Sequence, residues 1–385
     1  MTPADSLTPA TTPSPQHLVL LGACETHLEV LRHLSKHPIS GTPVTLLAPS
    51  PRHLLPAMVP AYVAGQQGPQ DCAISLEALA QRSGVRWLRG SVVALDAHHK
   101  SIQLDDGSHL EFDWLSLDMG TVQDRDFIET TIPGSREHAL FMQPVDAFIS
   151  LWPRVSKMGD ARALRIALIG GSAADVEVAL AIRHRLPNAA VTLVCSQTAL
   201  DANYSAKLQR RIQAVLRTQR ITMLQDTVTS MSAEALHLGC GADLACDIAL
   251  LTVGAKPPQW LKDSGLALDK DGYLALDRHL RSISHSRIFA ALDISHQVDC
   301  TGPASGIDAL RAGRTLAHNL RAAVDGSRLK AYSPSSMPLT LLAYGKHSAI
   351  GCWGSLTAQG RWVRWLKDWA DRRLLARFGQ PDVLR

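Results

Sequence analysis

Two glycine turns in this chain are of the kind that can hold a dinucleotide. They are Leu18-Val-Leu-Leu-Gly22-Ala-Cys-Glu-Thr-His27 and Leu164-Arg-Ile-Ala-Leu-Ile-Gly170-Gly-Ser-Ala-Ala-Asp175. In each, an apolar strand runs into a Gly-led turn that opens a helix, so backbone N–H groups and the helix dipole can face a pyrophosphate. Any α/β protein can contain one such turn, but two in 385 residues predict a protein that binds two nucleotides, typically a flavin and a nicotinamide.

The first turn departs from the G-x-G-x-x-G pattern at two of its three glycine positions. Gly22 takes the first position, Cys24 the second and His27 the third. A side chain at the second position narrows the approach of a pyrophosphate to the backbone. Ala23 and Thr26 are small and leave room, so the turn predicts either nucleotide binding through these five residues or a purely structural strand–helix connection.

The second turn is altered in the same places. Gly170 and Gly171 remain, but Ser172 and Asp175 stand at the second and third glycine positions. A carboxylate in the first turn of a helix suits the helix dipole, yet it would repel a pyrophosphate bound there. Asp175 therefore has two interpretations, a helix-terminal charge or a residue that weakens nicotinamide binding.

The elements that position the turns are repeated along the chain. Strands at 18–21 and 44–48 flank a helix near 28–35, and strands at 165–169 and 191–194 flank a helix at 174–185. A strand–helix–strand unit of this length places its strands in parallel. Each unit is followed by a three-stranded meander, so we expect an α/β fold with two Rossmann-like dinucleotide-binding domains.

The composition excludes several classes of protein. With 46% hydrophobic and 19% charged residues and a net charge of +4, the chain is typical of a soluble globular protein and predicts no nucleic-acid partner. It contains no apolar run of about 18 residues. Residues 1–16 are rich in Thr, Pro and Ser and predict a disordered tail. Seven scattered cysteines favour a reducing cytoplasm.

Other catalytic motifs are missing. The chain has no Cys-x-x-Cys or Cys-x4-Cys pair for a redox-active disulfide, no His/Cys cluster with zinc spacing and no Gly-x-Ser-x-Gly nucleophile turn. We therefore expect no metal site, no dithiol redox centre and no hydrolase chemistry.

Several segments together resemble the pyridine nucleotide–disulfide oxidoreductase superfamily, and within it the type II NADH dehydrogenase-like branch, which includes the flavoprotein associated with selenophosphate synthetase. Besides the two turns, the matching segments are residues 58–65, 113–121, 133–134, 252–255, 280–293 and 367–378. They fall in family order and span nearly the whole chain after the tail. The resemblance implies FAD and NAD(P)H as cofactors.

The resemblance also implies roles for individual residues. Gly120 and Thr121 resemble the strand end that meets the flavin, and Asp293 resembles the acid that binds the ribityl chain, although Leu292 replaces the usual preceding glycine. Gly306 and Ile307 would place a helix N-terminus near the flavin ring, and Gly254 and Ala255 match a further cofactor segment. Glu177 matches an acidic position near the nicotinamide and flavin rings, and is the candidate catalytic residue.

The family's organisation implies a FAD-binding-type domain at 17–150 and 275–330. An NAD(P)-binding-type domain at 151–274 is inserted into it, and a C-terminal module follows at 331–385. The implied function is transfer of electrons from NAD(P)H through FAD to an unidentified small-molecule acceptor, with quinone as one candidate. The alternative is a non-catalytic descendant that keeps the fold as a binding or regulatory module, because cofactor-turn glycines are substituted. A homodimer is left open.

The C-terminal segment 361–378 predicts an amphipathic helix. It carries six basic and two acidic residues. Its apolar residues at helical spacing are Trp362, Leu366, Trp369, Ala370, Leu374 and Phe378. Such a helix can lie on anionic lipid, which would place the protein on the inner face of a membrane. The alternative is a helix docked on the flavin domain with a solvated basic face.

Overall fold

The computed structural model describes residues 16–196, 204–298, 306–335, 339–354 and 356–379. The predicted tail at residues 1–16 lies outside this part of the chain, except for Gln16. The first unit runs from residue 18 to residue 117. Its elements are β1 (Leu18–Leu21), α1 (Glu25–Leu34), β2 (Val44–Ala48), β3 (Arg52–Leu54), α2 (Val59–Val63), β4 (Ala73–Ser75), α3 (Leu76–Arg82), β5 (Arg86–Arg89), β6 (Val92–Asp96), β7 (Ser101–Leu104), β8 (His109–Glu111) and β9 (Trp114–Leu117).

A short connection leads into the second unit through β10 (Val122–Gln123), α4 (Arg125–Thr131) and α5 (Ser135–His138). The second unit contains β11 (Ala139–Phe141), α6 (Val145–Ala161), β12 (Arg165–Ile169), α7 (Ala173–Arg185), β13 (Ala190–Cys195), α8 (Ala206–Thr218), β14 (Ile221–Gln225), β15 (Val228–Met231), β16 (Ala235–Leu238), β17 (Asp243–Ala245), β18 (Ile248–Leu251) and β19 (Ala255–Lys256).

The chain then returns to the first unit through β20 (Leu274–Leu276), β21 (Ile288–Ala290), β22 (Ser295–Gln297) and α9 (Gly306–Val324). The C-terminal module consists of β23 (Leu339–Tyr344), β24 (Ser348–Trp353), β25 (Leu356–Gly360) and α10 (Arg361–Phe378).

Two five-stranded parallel sheets form the centres of the two units. Their strand orders are β21-β9-β1-β2-β5 and β11-β18-β12-β13-β14. The strand that precedes each glycine turn, β1 or β12, is the central strand of its sheet, and both faces are covered, so β1 is buried along its whole length. The predicted α/β fold with two Rossmann-like domains is confirmed.

The boundary between the units lies earlier than expected. Strand β11 pairs in parallel with β18 of the second sheet, so the second unit begins at about residue 139 rather than 151. Residues 139–141 are too short a segment for their strand partner to be read from the sequence. After the second unit, β20 pairs in parallel with β22, and β21 joins the first sheet beside β9.

Helix α10 docks through a face that the sequence analysis did not predict. Val363, Lys367 and Phe378 are its buried residues, whereas Trp362 and Trp369 are 61% and 43% exposed. The apolar residues predicted for this helix therefore lie on two faces, because Phe378 is in the buried core while Trp362 and Trp369 face outward. The ion pairs of Lys367 allow this lysine to lie on the buried face of α10. The tryptophans lie on the opposite face.

Candidate active site

The first glycine turn brings the end of β1 against the end of β9. Gly22 has a φ of +87°, and a Cβ there would lie 2.4 Å from the carbonyl oxygen of Asp118. Cys24 N–H donates to the same carbonyl at 3.2 Å. Only glycine fits at position 22, because both the left-handed backbone and the close approach exclude a side chain.

His27 holds this turn from its inner side. The ring is fully buried, with Nδ1 2.7 Å from the Gly22 carbonyl oxygen and Nε2 2.8 Å from Ser116 Oγ. Because a carbonyl only accepts, the proton lies on Nδ1, and the serine hydroxyl donates to Nε2. Burial lowers the pKa of His27 to about 4, so the ring is neutral. Its side chain offers no group to a ligand, contrary to the sequence-based expectation.

The surface beside the turn, bordered by Gly120, Cys24 and Asp293, is called the recess below. A Cβ on Gly120 would meet only the Cys24 Sγ, at 4.0 Å, so a ligand can approach the backbone here; Thr121 follows and is half-buried. Asp293, in a 3-10 turn at Leu292–Ile294, has an accessible side chain. His53 Nε2 is buried and has no hydrogen-bond partner among the described residues. Its distance to Glu25 Oε1 is 3.9 Å. A bound FAD would use three features here: the unobstructed backbone at Gly120, the accessible acid Asp293, and a buried ring nitrogen of His53 that makes no hydrogen bond to the described residues.

Carboxylates dominate the electrostatics of the recess. Although Asp293 keeps exposed surface, the desolvation caused by the protein packed around its carboxyl, and then the charge of Glu25, raise its pKa to about 6. Burial and the neighbouring carboxylates hold the pKa of the Cys24 thiol well above its usual value, so Cys24 is a neutral thiol. Burial alone would raise the pKa of Glu25, but His53 outweighs it and the pKa is lowered.

At the second turn, the carboxylate of Asp175 binds a backbone N–H group of the turn itself. Asp175 Oδ2 accepts the N–H of Ser172 at 2.8 Å, and Ser172 Oγ accepts the N–H of Asp175 at 3.3 Å, which is a capping box. A Cβ on Gly170 would lie 2.4 Å from Asp175 Oδ2 and 2.0 Å from Thr252 Oγ1. Gly170 is thus required by the close packing of these two side chains against the turn.

Gly254 and Ala255 lie where the second unit passes back to the first. Ala255 pairs with Gln123 across the two-stranded β10–β19 connection. Gly254 has a φ of +79°, and a Cβ there would lie 2.6 Å from Ile128. Gly254 therefore has a structural reason to be glycine, in addition to the role that the family resemblance implies. Helix α9 begins at Gly306 and continues with Ile307.

Glu177 lies in a cavity of about 220 Å³ between α2, α7, β23 and α10. Glu177 Oε1 accepts the backbone N–H of Ala343 at 2.9 Å and lies 3.3 Å from Lys367 Nζ. Lys367 Nζ is also 3.3 Å from Asp371 Oδ2. The candidate catalytic residue is thus in contact with the C-terminal module, which sequence reasoning did not anticipate.

The charges of this cavity are strongly coupled. Burial raises the pKa of both Glu177 and Asp371. Burial disfavours the charged form of Lys367, but the two carboxylates outweigh it and its pKa is raised. The group therefore consists of one permanent cation between two carboxyls, one of which can hold a proton without leaving the lysine unpaired.

A second glutamate is held by the same helix. Glu29 stands seven residues after Gly22, just as Glu177 stands seven after Gly170. Arg377 donates to Glu29 from Nε at 2.7 Å and from Nη2 at 2.5 Å. Helix α10 thus contacts the second turn of both dinucleotide-turn helices. The equal spacing of the glutamates was a signal in the sequence, but their partners were not.

Other kinds of site are lacking in the described part of the chain. There, no group of three or more His, Cys, Asp or Glu could hold a metal ion, and the cysteines are free. No helix among these residues is long and apolar enough to cross a membrane.

Comparison with known proteins agrees with the geometry of the two turns. Residues 16–315 match the pyridine nucleotide-disulphide oxidoreductase family. The chain belongs to this family. Ferroptosis suppressor protein 1 of Xenopus tropicalis is 24% identical over 280 residues, covering 69% of this chain and 71% of that protein. Alternative NAD(P)H-ubiquinone oxidoreductase C1 of Arabidopsis thaliana is 26% identical over 298 residues, covering 67% and 57%.

The fold has solved relatives as well. The structure of NDH2 from Plasmodium falciparum in complex with NADH superposes with a TM-score of 0.77 at 11% identity, covering 94% of this chain and 97% of that one. The expected type II NADH dehydrogenase-like branch is confirmed. The chain is an oxidoreductase, and FAD and NAD(P)H are the cofactors of its family, as expected. Nothing in these comparisons supports the non-catalytic alternative.

Proposed function

We propose that this protein is a flavin-dependent NAD(P)H–quinone oxidoreductase that works at a membrane surface. FAD would occupy the recess at Gly22, Gly120 and Asp293, and NAD(P)H would bind at the Gly170 turn. The bound flavin would supply hydride acceptance from the nicotinamide and electron donation to the quinone. The protein would supply position, electrostatics and proton handling.

The observation that carries this proposal is the two-sided character of α10. Its inner face lines the Glu177 cavity with Arg364, Lys367 and Asp371. Its outer face exposes Trp362, Trp365 and Trp369 at spacings of three and four residues. Helix α10 therefore lines the cavity with one side, and its other side exposes the surface best suited to a lipid interface.

The outer face has the chemistry of an interfacial anchor. Trp362, Trp365 and Trp369 are 61%, 62% and 43% exposed, and the Arg373 guanidinium lies 5.1 Å from the centre of the Trp369 ring. Tryptophan prefers the headgroup region, and arginine pairs with anionic lipid. A lipid-borne quinone would thus reach the protein at the helix that lines the cavity.

The cavity residues would handle protons. Reduction of a quinone to a quinol takes up two protons as well as two electrons. The carboxyls of Glu177 and Asp371, with Lys367 between them, can hold a proton beside the cavity and release it as an acceptor is reduced. Lys367 would keep the electrostatic balance, because it remains charged in either state.

Two acceptors of different solubility test the proposal. With FAD-loaded protein, NADH oxidation is measured with a short-chain, water-soluble quinone and with a long-chain quinone embedded in anionic vesicles. Replacing Trp362, Trp365 and Trp369 together with Gln should abolish vesicle binding and reduce the rate with the embedded quinone at least tenfold, while the rate with the soluble quinone changes less than twofold.

The matched control is Ile283→Gln, because Ile283 is 56% exposed and lies outside the C-terminal module. It should leave both rates and vesicle binding unchanged. Equal loss of both rates in the tryptophan variant would assign α10 to folding rather than to the membrane. A wild-type enzyme that reduces no quinone of either kind would refute the proposed acceptor.

A further inference from the structure

A fully buried carboxylate on α1 binds three arginines from three helices. Glu29 accepts hydrogen bonds from Arg32 of α1 at 2.8 and 2.9 Å, from Arg377 of α10 at 2.5 and 2.7 Å, and from Arg314 of α9 at 3.3 Å. Among the described residues, Glu29 is the only carboxylate within ion-pair distance of these three arginines. Burial alone would raise the pKa of Glu29, but Arg32 and Arg377 lower it to about 2, so the carboxylate is ionised. Three positive charges therefore share one negative charge. These four residues are called the Glu29 cluster below.

The packing of α9 against α1 brings the third arginine to the cluster. A Cβ on Gly313 would lie 2.6 Å from the Glu29 Cβ, so only glycine allows the two helices to come this close. Arg314 is the next residue, and its side chain reaches Glu29 while it stays 60% exposed. The side chains of Arg32 and Arg377 are 26% and 24% exposed. Glu29 accepts from only one or two nitrogen atoms of each guanidinium, so each keeps further N–H donors at the surface.

The electrostatic potential beside the cluster is positive. Burial, and then the basic groups of His37, Arg32 and Arg321, lower the pKa of His33, and these basic groups outweigh the opposing charge of Glu29. A surplus of cations with unused N–H donors favours an anion. Guanidinium groups bind phosphate oxygens through two parallel N–H groups, so a phosphate is the anion that this arrangement fits best.

The cluster adjoins the exposed tryptophans of α10. Trp365, Trp369, Arg373 and Arg377 follow one another at intervals of four residues, and side chains at this spacing are neighbours on a helix surface. The Arg373 guanidinium lies 5.1 Å from the centre of the Trp369 ring. With a rise of 1.5 Å per residue, Arg377 is about 12 Å from Trp369 along the helix axis. The surface proposed to meet lipid thus continues into the Glu29 cluster.

We propose that Arg32, Arg314 and Arg377 form a binding site for the phosphate group of an anionic phospholipid. This inference rests on the proposed function, in which the tryptophans of α10 lie at a membrane surface. A soluble phosphate compound presents the same chemistry, but the adjoining tryptophan row favours a phosphate that is carried by a membrane. The site adds selectivity, because guanidinium groups held in place by a buried carboxylate distinguish a phosphate from other groups of equal charge.

Vesicles that differ in the source of their negative charge test the inference. Phosphatidylcholine vesicles contain either phosphatidic acid or oleate at equal surface charge, and binding of the FAD-loaded, full-length protein is measured by co-sedimentation. The wild type should bind the phosphatidic acid vesicles about fivefold more tightly or better. Arg314→Gln should remove most of this preference. Glu29 keeps its hydrogen bonds from Arg32 and Arg377 in this variant, so the rate with a soluble quinone should change less than twofold.

Arg373→Gln is the matched control for charge. It removes one positive charge from the same row of α10 but leaves the Glu29 cluster intact. It should weaken binding to both kinds of vesicle by the same factor, about fivefold, because a basic residue near an anionic surface contributes about that much. Arg314→Lys separates charge from geometry. It keeps the positive charge, so it should bind oleate vesicles as the wild type does and still lose most of the preference for phosphatidic acid. It also replaces the Gln variant if that one does not fold.

The possible results separate the inference from the proposed function. Equal binding of both kinds of vesicle by the wild type, or an unchanged preference in the Arg314 variants, overturns the inference while the proposed function stands. A wild type that binds neither kind of vesicle refutes the proposed membrane surface and the inference with it. Glycerol phosphate tests the soluble source by isothermal titration calorimetry. An affinity for it equal to that for phosphatidic acid vesicles would overturn the assignment to a lipid.

Discussion

His27 should make the protein lose stability as the pH falls, and replacing it should remove that loss. Burial lowers the pKa of its imidazole from 6.5 to about 4. Between these two values the unfolded chain binds a proton that the folded protein excludes, so stability decreases as the pH falls through this window and is constant below it. At about 1.4 kcal/mol for each pH unit, a window of roughly 2.5 units amounts to about 3 kcal/mol.

The variant His27→Asn measures this contribution. The amide N–H can still donate to the Gly22 carbonyl, but the bond to Ser116 is lost, which costs about 1–3 kcal/mol at pH 7.5. At pH 4.5 the wild type has lost most of the stability that depends on a neutral His27, whereas the variant has no His27 and loses none of it. The free energies of unfolding of the two proteins should therefore approach each other. Urea unfolding, followed by tryptophan fluorescence at both pH values, gives the two free energies.

The experiment compares the change in the free energy of unfolding between the two pH values in the wild type with the same change in the variant, so the contributions of other titrating groups cancel. Asp293, whose pKa is raised to about 6, acts in the opposite direction but is present in both proteins. His109→Asn, at an exposed strand position, is the control and should run parallel to the wild type. A His27→Asn protein whose stability also runs parallel to the wild type from pH 7.5 to 4.5 would refute the assignment of a neutral, buried ring.

Three further predictions concern the recess and the C-terminal helix. Cys24→Gly should tighten FAD binding several-fold in a fluorescence titration. The Cys24 backbone is extended, with a φ of −74°, and its thiol fills space beside Gly120 that the cofactor would otherwise use. Unchanged affinity would place the cofactor elsewhere. Arg377→Gln should lower the free energy of unfolding by about 1–3 kcal/mol, measured in urea, because the fully buried Glu29 loses a charged partner. The exposed control, Arg373→Gln, should change the free energy of unfolding by less than about 0.5 kcal/mol. Removal of residues 361–385 should yield insoluble protein or lower the thermal midpoint, since α10 covers buried surface of both units; a stable, soluble truncated protein would contradict that docking.

Local patterns were sufficient to predict most of the architecture. The apolar runs of β1 and β12, each followed by glycine, predicted the central strand of each sheet, and the first meander lies where it was expected. The second meander, expected at residues 221–238, is shifted by one strand, because β14 joins the parallel sheet and β17 completes the meander. These features depend on residues close together in sequence, whose period and turn chemistry are visible without the fold. The boundary near residue 139 could not be predicted in this way, because β11 belongs to the second sheet only through its pairing with β18, over 100 residues later in the chain.

The candidate site was predictable at its glycines and not at its charges. Gly22 makes the tight, left-handed turn that the motif implies, and Gly170 is required by close packing against Asp175 and Thr252. The carboxylate at the first turn, however, comes from Asp118, 91 residues from His27. Glu177 was singled out for its position near the flavin, and its partner Lys367 is 190 residues away. Helical spacing on α10 suggested one apolar face. The burial of Lys367 depends on two acidic partners, one of them on another helix, and no local pattern reveals such a contact.

The visible absorption spectrum of the purified protein, recorded without oxygen during addition of NADH and then quinone, tests the central claim most directly. The account predicts a yellow protein from which FAD can be released by denaturation. It also predicts that NADH bleaches the flavin band and that a quinone restores it. A colourless protein that takes up no FAD on reconstitution, or a bound flavin that neither NADH nor NADPH reduces, would contradict it.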